Sequence, residues 1–180
     1  MNRWIVTALG KDQPGIVAGV AKVLYELGCN LEDSAMTRLE GEFTIMLIFS
    51  SARKRTEAEL LKPFLPLAKR MKLALHVRPL SHSEATSPKK RGTNYLISVY
   101  GADRPGIVYQ VSEVLARAKV NIHDVHTHRS TEGGPSLYLL LLEVEVPAPR
   151  SATALERQLK RIAQRLGVEV SLRPAEAAVL

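Results

Sequence analysis

The chain writes one loop twice. Gly10 to Val17 reads G-K-D-Q-P-G-I-V, and Gly101 to Val108 reads G-A-D-R-P-G-I-V. In each, an apolar run ends at a glycine, an aspartate follows two positions later, and Pro-Gly leads into a new apolar periodicity. The chemistry on offer is that of a helix start. Backbone N–H groups of a first helical turn have no partner inside the helix, and the helix dipole adds partial positive charge there. Such a terminus suits a carboxylate or a phosphate. Gly15 has no side chain to block close approach, and Asp12 stands where an ammonium group could be received. A carboxylate seat beside such an acid is a reasonable pocket for an α-amino acid. The plainer reading has Asp12 cap the helix, Pro14 start it and Gly15 allow tight packing. Neither loop is a dinucleotide fingerprint, and neither has the lysine of a phosphate-binding P-loop.

One other cluster invites a chemical reading. His123-Asp124-Val125-His126-Thr127-His128 places three imidazoles and a carboxylate within six residues. His126 and His128 share one side of a strand, and such a set can ligate a metal. The first half has Glu32-Asp33-Ser34-Ala35-Met36-Thr37 at the equivalent positions, so the imidazoles are not part of the repeated design. Histidines on a half-buried sheet face are the simpler reading, and no metal or cofactor is expected. Cys29 is the one cysteine. It excludes a disulfide framework and a thiolate cluster, and a small buried residue explains it. No nucleophile elbow, P-loop or metalloprotease helix is visible.

The elements that must position the loops follow from the repeat. The offset between the two loops is 91 residues, and it holds elsewhere. Asn30-Leu31-Glu32-Asp33 answers to Asn121-Ile122-His123-Asp124, and Arg38 answers to Arg129. Ile16, Val17, Val20, Val23, Leu24 and Leu27 map onto Ile107, Val108, Val111, Val114, Leu115 and Ala118, all apolar and at the spacing of one helical stripe. Trp4–Leu9 reads as a strand. Gly28 suits a helix stop. Asn30–Arg38 and Phe43–Phe49 read as strands turned at Glu40-Gly41. Glu57–Lys69 reads as a second helix, shortened or kinked by Pro63 and Pro66, and Leu73–Val77 as a last strand. The second copy runs Tyr95–Tyr100, Ile107–Ala118, Asn121–His128, Leu137–Val146, Ala154–Leu166 and Val168–Leu172, with Glu132-Gly133-Gly134-Pro135 as its middle turn. Strand, helix, strand, strand, helix, strand, twice over, predicts an α+β protein of two ferredoxin-like βαββαβ modules. Each is a four-stranded antiparallel sheet with both helices on one face. The modules are expected over 1–80 and 94–174, with a polar linker over 81–93 and a tail over 175–180. Each sheet leaves a bare face that wants a partner, from the same chain or a second one.

Composition narrows the function classes. Of the 180 residues 46% are hydrophobic, enough for packed cores. The longest uncharged apolar run, Leu137–Leu142, is far too short to cross a bilayer. The N-terminus has no small-residue cleavage pattern, so no signal peptide is expected and a cytoplasmic location is. The net charge is +7, and it is unevenly placed. Residues 1–91 carry 15 Lys and Arg against 9 Asp and Glu, and residues 92–180 carry 10 against 9. A basic surface can hold nucleic acid through phosphates, but no aromatics interleave with these charges and no recognition helix is evident. Direct contact with nucleic acid is therefore the alternative reading rather than the leading one.

D-x-P-G-I-V between a first strand and first helix, followed by N-[LI]-x-D at the second strand, resembles the ACT domain. The resemblance covers nearly the whole chain, and a free-standing pair of modules is most similar to the glycine cleavage system transcriptional repressor type. It implies a regulatory module that binds amino acids at module interfaces. It places one site at Asp12, Gln13, Pro14, Gly15 and Ile16 with Asn30 and Asp33. It places a second at Asp103, Arg104, Pro105, Gly106 and Ile107 with Asn121 and Asp124. Gln13 and Arg104 differ in charge, so the two loops need not hold the same ligand. In related enzymes a catalytic domain follows the module. Here the second half is another copy, so no enzymatic activity is expected. The implied partners are a small amino acid (glycine or serine first), a transcription factor or metabolic enzyme, and a second copy of the chain. An ACT pair that serves only as structure or protein contact, with no ligand, is the remaining alternative.

Overall fold

The protein is described from a computed structural model, which places residues 2–81, 92–131, 136–148 and 152–175. It separates into two compact units, Met1–Ser87 and Pro88–Leu180. The first unit runs β1 (Asn2–Lys11), α1 (Ile16–Glu26), β2 (Cys29–Leu39), β3 (Glu42–Ser51), α2 (Glu57–Leu61), a 3₁₀ turn (Lys62–Phe64), α3 (Leu65–Met71) and β4 (Ala74–Leu80). The second runs β5 (Gly92–Ala102), α4 (Ile107–Arg117), β6 (Asn121–Ser130), β7 (Leu137–Pro147), α5 (Ala152–Leu166) and β8 (Val168–Pro174). Each unit is one four-stranded antiparallel sheet, in the orders β2-β3-β1-β4 and β6-β7-β5-β8. The expected α+β, ferredoxin-like βαββαβ architecture is therefore present twice. Strands run one to three residues past the apolar runs, because ladder pairing continues where side chains already face water. The middle turn expected at residues 132–135 lies outside the described residues, as do linker residues 82–91.

Alternation decides which sheet face is covered. Trp4, Val6 and Ala8 on β1 and Phe43, Ile45, Leu47 and Phe49 on β3 are buried against Ile16, Val20 and Leu24 of α1. Leu60, Phe64, Leu67 and Met71 of the second helical segment complete that core. Pro63 and Pro66 break this segment into α2, the 3₁₀ turn and α3, as their missing N–H groups require. The second unit has its own core. Ile97 and Val99 on β5 and Leu140, Leu142 and Val144 on β7 pack under α4 and the unbroken α5. Val17 and Val108, expected in the helical stripes, are instead 47% and 38% exposed.

Local chemistry fixes the turns. Glu40 and Gly41 both take positive φ, 51° and 81°. That pair of left-handed residues is the two-residue hairpin turn whose twist matches the strands. Thr56 caps α2. Its hydroxyl accepts from Glu59 N–H, and the Glu59 carboxylate accepts from Thr56 N–H at 2.7 Å. These bonds from Thr56 hold the Glu59 carboxyl below its ordinary range. A depressed folded-state value means the contribution is present at neutral pH and fades as pH falls through and below the usual carboxylate range. Thr56→Ala is expected to cost about 1 kcal/mol at pH 7 and less at pH 3, measured by urea denaturation at both pH values.

Candidate functional site

The repeated loop joins β1 to α1 and β5 to α4. Gly10 and Gly101 open it at strand ends that lie tight against the fourth strand. A β-carbon on Gly10 would stand 2.9 Å from Leu73 Cδ2 and 3.0 Å from the Lys72 carbonyl. One on Gly101 would stand 2.8 Å from Val168 Cγ1. Gly15 and Gly106 are the N-caps, at φ 95° and 94°. That left-handed conformation is open to glycine and strained for residues with a β-carbon. It corrects the expectation that Asp12 caps the helix. The helix begins at Ile16, three residues beyond Asp12's reach, and Pro14 lies in the turn ahead of it rather than in its first turn. Neither helix has a side-chain cap. The leading N–H groups of Ile16, Val17 and Ala18, and of their counterparts, are therefore donors without a partner inside the helix.

Asp12 has a different partner. Its Oδ2 lies 3.3 Å from Nη1 of Arg38, at the far end of β2. In the second unit Asp103 Oδ2 lies 3.8 Å from Arg129 Nη1. Arg38 and Arg129 are related by the same 91-residue offset as the loops, so the carboxylate–guanidinium pair belongs to the repeated design. Exposed pairs of this kind contribute less than about 1 kcal/mol. Stability alone is a weak reason for building one twice.

The loop is held from two other sides. Asp12 N–H donates to the Gly41 carbonyl at 2.8 Å, and Asp103 N–H to the Ser136 carbonyl at 2.9 Å. Gln13 Nε2 donates to the Met71 carbonyl at the end of α3, 3.0 Å away. Arg104 reaches the same place in the second unit, its Nη1 3.4 Å from where a Gly167 β-carbon would stand, just past the end of α5. Both side chains thus lie at the C-terminal end of the second helical segment, where a donor is favoured.

Asn30, Asp33, Asn121 and Asp124 are not brought to the loops of their own units. The second strand is not beside the first, because β3 and β7 lie between. It also begins at the other end of the sheet. Asp33 pairs with Ile48, which pairs with Ile5, five residues before Gly10 opens the loop. At strand rise that is about 17 Å. The register slips at one place in each unit, between Leu31 and Asp33 and between Ile122 and Asp124. The residue left over is Glu32 in one and His123 in the other, a β-bulge at the same repeat position. The aspartate after the bulge accepts from the next N–H, Asp33 from Ser34 at 2.8 Å and Asp124 from Val125 at 2.9 Å. N-[LI]-x-D is thus the signature of a bulge. The bulged side chains are themselves tied, Glu32 to Arg3 at 2.6 Å and His123 to Glu145 at 3.2 Å.

In the first unit the loop borders a hollow of about 530 Å³, lined by Asp12, Gln13, Pro14, Gly15 and Ile16 together with Val17, Ala21, Met36 and Phe43. Its wall is apolar and its rim carries the Asp12–Arg38 pair. Val17 and Met36 face it while 47% and 60% exposed. Arg38, Met36 and Val17 were not among the expected site residues. The signal for Arg38 was its exact recurrence as Arg129. His126 and His128 pair with Leu141 and Leu139 on the face away from the helices, and His126 Nε2 bonds Asp124 Oδ2 at 2.8 Å. Among the described residues no three such groups converge as a metal site.

The architecture is a duplicated split βαββαβ module whose first loop leads to an uncapped helix start, in the first unit beside an apolar hollow. The chain belongs to the ACT domain family, which matches residues 2–78 and 93–173. It is similar to the glycine cleavage system transcriptional repressor of Escherichia coli K12, 25% identical over 170 residues, 93% of this chain and 87% of that one. It is also similar to a UPF0237 protein of Streptococcus mutans, 36% identical over 74 residues, 41% of this chain and 84% of that protein. Among solved structures, a protein of unknown function from Galdieria sulphuraria superposes with a TM-score of 0.80 at 27% identity, covering 97% of this chain and 99% of that one. A structure assigned to the glycine cleavage repressor superposes with a TM-score of 0.72 at 19% identity, covering 97% and 98%, a likeness of fold. No helix among the described residues is long and apolar enough to cross a membrane.

Proposed function

We propose that the chain is a non-catalytic regulator that holds a small amino acid at the repeated loop and passes its occupancy to a transcription factor or metabolic enzyme. The observation that carries this reading is the carboxylate–guanidinium pair, Asp12–Arg38 and Asp103–Arg129, set beside an uncapped helix start in both units. A zwitterion matches it. The ligand's ammonium takes Asp12, and its carboxylate takes Arg38 and the N–H groups that follow Gly15. The side chain, if any, lies on the apolar wall of Val17, Met36 and Phe43. Likeness over 93% of this chain to a glycine cleavage repressor supports glycine and serine as the first effectors to test. The exposed pair and the hollow are open on one side, and a second copy of the chain is the partner we expect to close them. Asn30 and Asp33, remote from their own loop, belong to this scheme only as residues offered to such a partner.

The test is a thermal-shift titration with glycine and with serine at millimolar concentration. A ligand at 100 times its Kd adds about 2.7 kcal/mol to the folded state. The shift is expected in the native chain, reduced in Asp12→Ala and in Arg38→Ala, and lost in the double variant Asp12→Ala/Asp103→Ala. A shift that survives the double variant places the ligand elsewhere and removes the proposal.

A further inference from the structure

A second hollow lies apart from the repeated loops, between α4 and α5 of the second unit. It has a volume of about 420 Å³ and is lined by Val114 and Arg117 of α4 and by Gln158, Arg161, Ile162 and Arg165 of α5. Val114 and Ile162 form an apolar floor. Three guanidinium groups stand around it. Arg117 pairs with Glu113 at 2.7 Å. Among the described residues, neither Arg161 nor Arg165 has a carboxylate within ion-pair distance. Neighbouring cations with one carboxylate among them repel one another, and a bound anion relieves that cost.

The fold does not require this arrangement. At the same repeat positions the first unit has Val23 and Glu26, so an acid stands where Arg117 does. Its second helical segment is broken at the prolines and presents no equivalent of the unbroken α5. Among the described residues the first unit therefore does not repeat this basic hollow, which is added to a shared architecture.

The chemistry selects a class of ligand. Guanidinium forks match phosphate oxygens two at a time, which an ammonium cannot do. The apolar floor gives nothing to a bare inorganic ion and favours one with an organic body. The volume is within the range of small-molecule sites, about 300–1,000 Å³. We propose that this hollow binds an organic phosphate of mononucleotide size, with its phosphates among Arg117, Arg161 and Arg165 and its organic body on Val114 and Ile162. Such a site would let the second unit report a phosphorylated metabolite independently of the amino-acid loops.

Calorimetry on the full chain at low salt tests it with three probes: ADP, adenosine and pyrophosphate. ADP is expected to bind, pyrophosphate to bind several-fold more weakly, and adenosine not measurably. The double variant Arg161→Ala/Arg165→Ala should weaken ADP by at least about tenfold. Arg161→Lys/Arg165→Lys should recover only part of the loss, because the charge returns without the fork. These residues are exposed, so the variants keep the fold, and Asp12→Ala should leave ADP binding unchanged. The proposal is overturned if ADP does not bind, if the double alanine variant binds it as tightly, or if adenosine or pyrophosphate matches ADP. It is equally overturned if only duplex DNA binds through these arginines.

Discussion

Replacing Phe49 by alanine is expected to remove about 3–5 kcal/mol of stability. Phe49 is fully buried on β3, between β1 and β2, and is among the largest side chains of the first core. It pairs with Trp4 on one side and Leu31 on the other, so its loss leaves a hole on the covered face between the outer strands. Net stability of a domain is typically about 5–15 kcal/mol, so the change consumes much of it. Because each unit has its own core, the damage should be local. Hydrogen exchange should quicken at β1 and β3 amides and stay slow at β5 and β7. Equal quickening in both sets would show that the two cores are not separate.

Gly15→Val should cost about 1–3 kcal/mol and disable the first loop. Gly15 sits at φ 95°, and the nearest atom to an added β-carbon is Met71 Cε at 4.0 Å. The cost therefore comes from backbone strain and not from a clash. For a β-branched residue that conformation is an outlier, so the loop must move and the leading N–H groups lose their aim. Gly28→Ala is the control. It too is at positive φ, 65°, with nothing near its β-carbon, but it lies at the other end of α1. Melting temperatures should fall for both, whereas the first loop's response to effector, read at the Ile16 and Val17 amides, should vanish only in Gly15→Val. A first-loop response that persists in Gly15→Val would assign the loop to architecture.

The fold was legible because two signals agreed. The helical stripe from Ile16 to Leu27 and its image 91 residues on fixed the element order, and Pro63 and Pro66 announced the broken second segment. Sheet order is a tertiary matter, and it misled the site. Asn30 and Asp33 begin the second strand, and a second strand lying beside the first would make them neighbours of the loop. The β3 strand inserts between β2 and β1 and carries them to the opposite end. Arg38 went unassigned for the converse reason. It is 26 residues from Asp12, and only the hairpin at Glu40-Gly41 returns it to the loop's side. The N-cap was misread because a left-handed glycine replaces the usual side-chain cap, and φ is not written in a residue's identity. Gln13 and Arg104 differ in charge, and each lies against the end of the second helical segment of its unit, Gln13 bonded to the Met71 carbonyl and Arg104 beside Gly167.

The claim that matters most is that the repeated loop holds an amino acid. The direct measurement is an amide NMR titration of the full chain with each of the twenty amino acids, following Gly15, Ile16 and Val17 and their counterparts Gly106, Ile107 and Val108. The account predicts that at least one amino acid moves these amides saturably in the native chain, and fails to move those of the first loop in Asp12→Ala and those of the second in Asp103→Ala. If no amino acid moves them, or if each loop's shifts persist without its own aspartate, the loop is a structural turn and the account of the site is wrong.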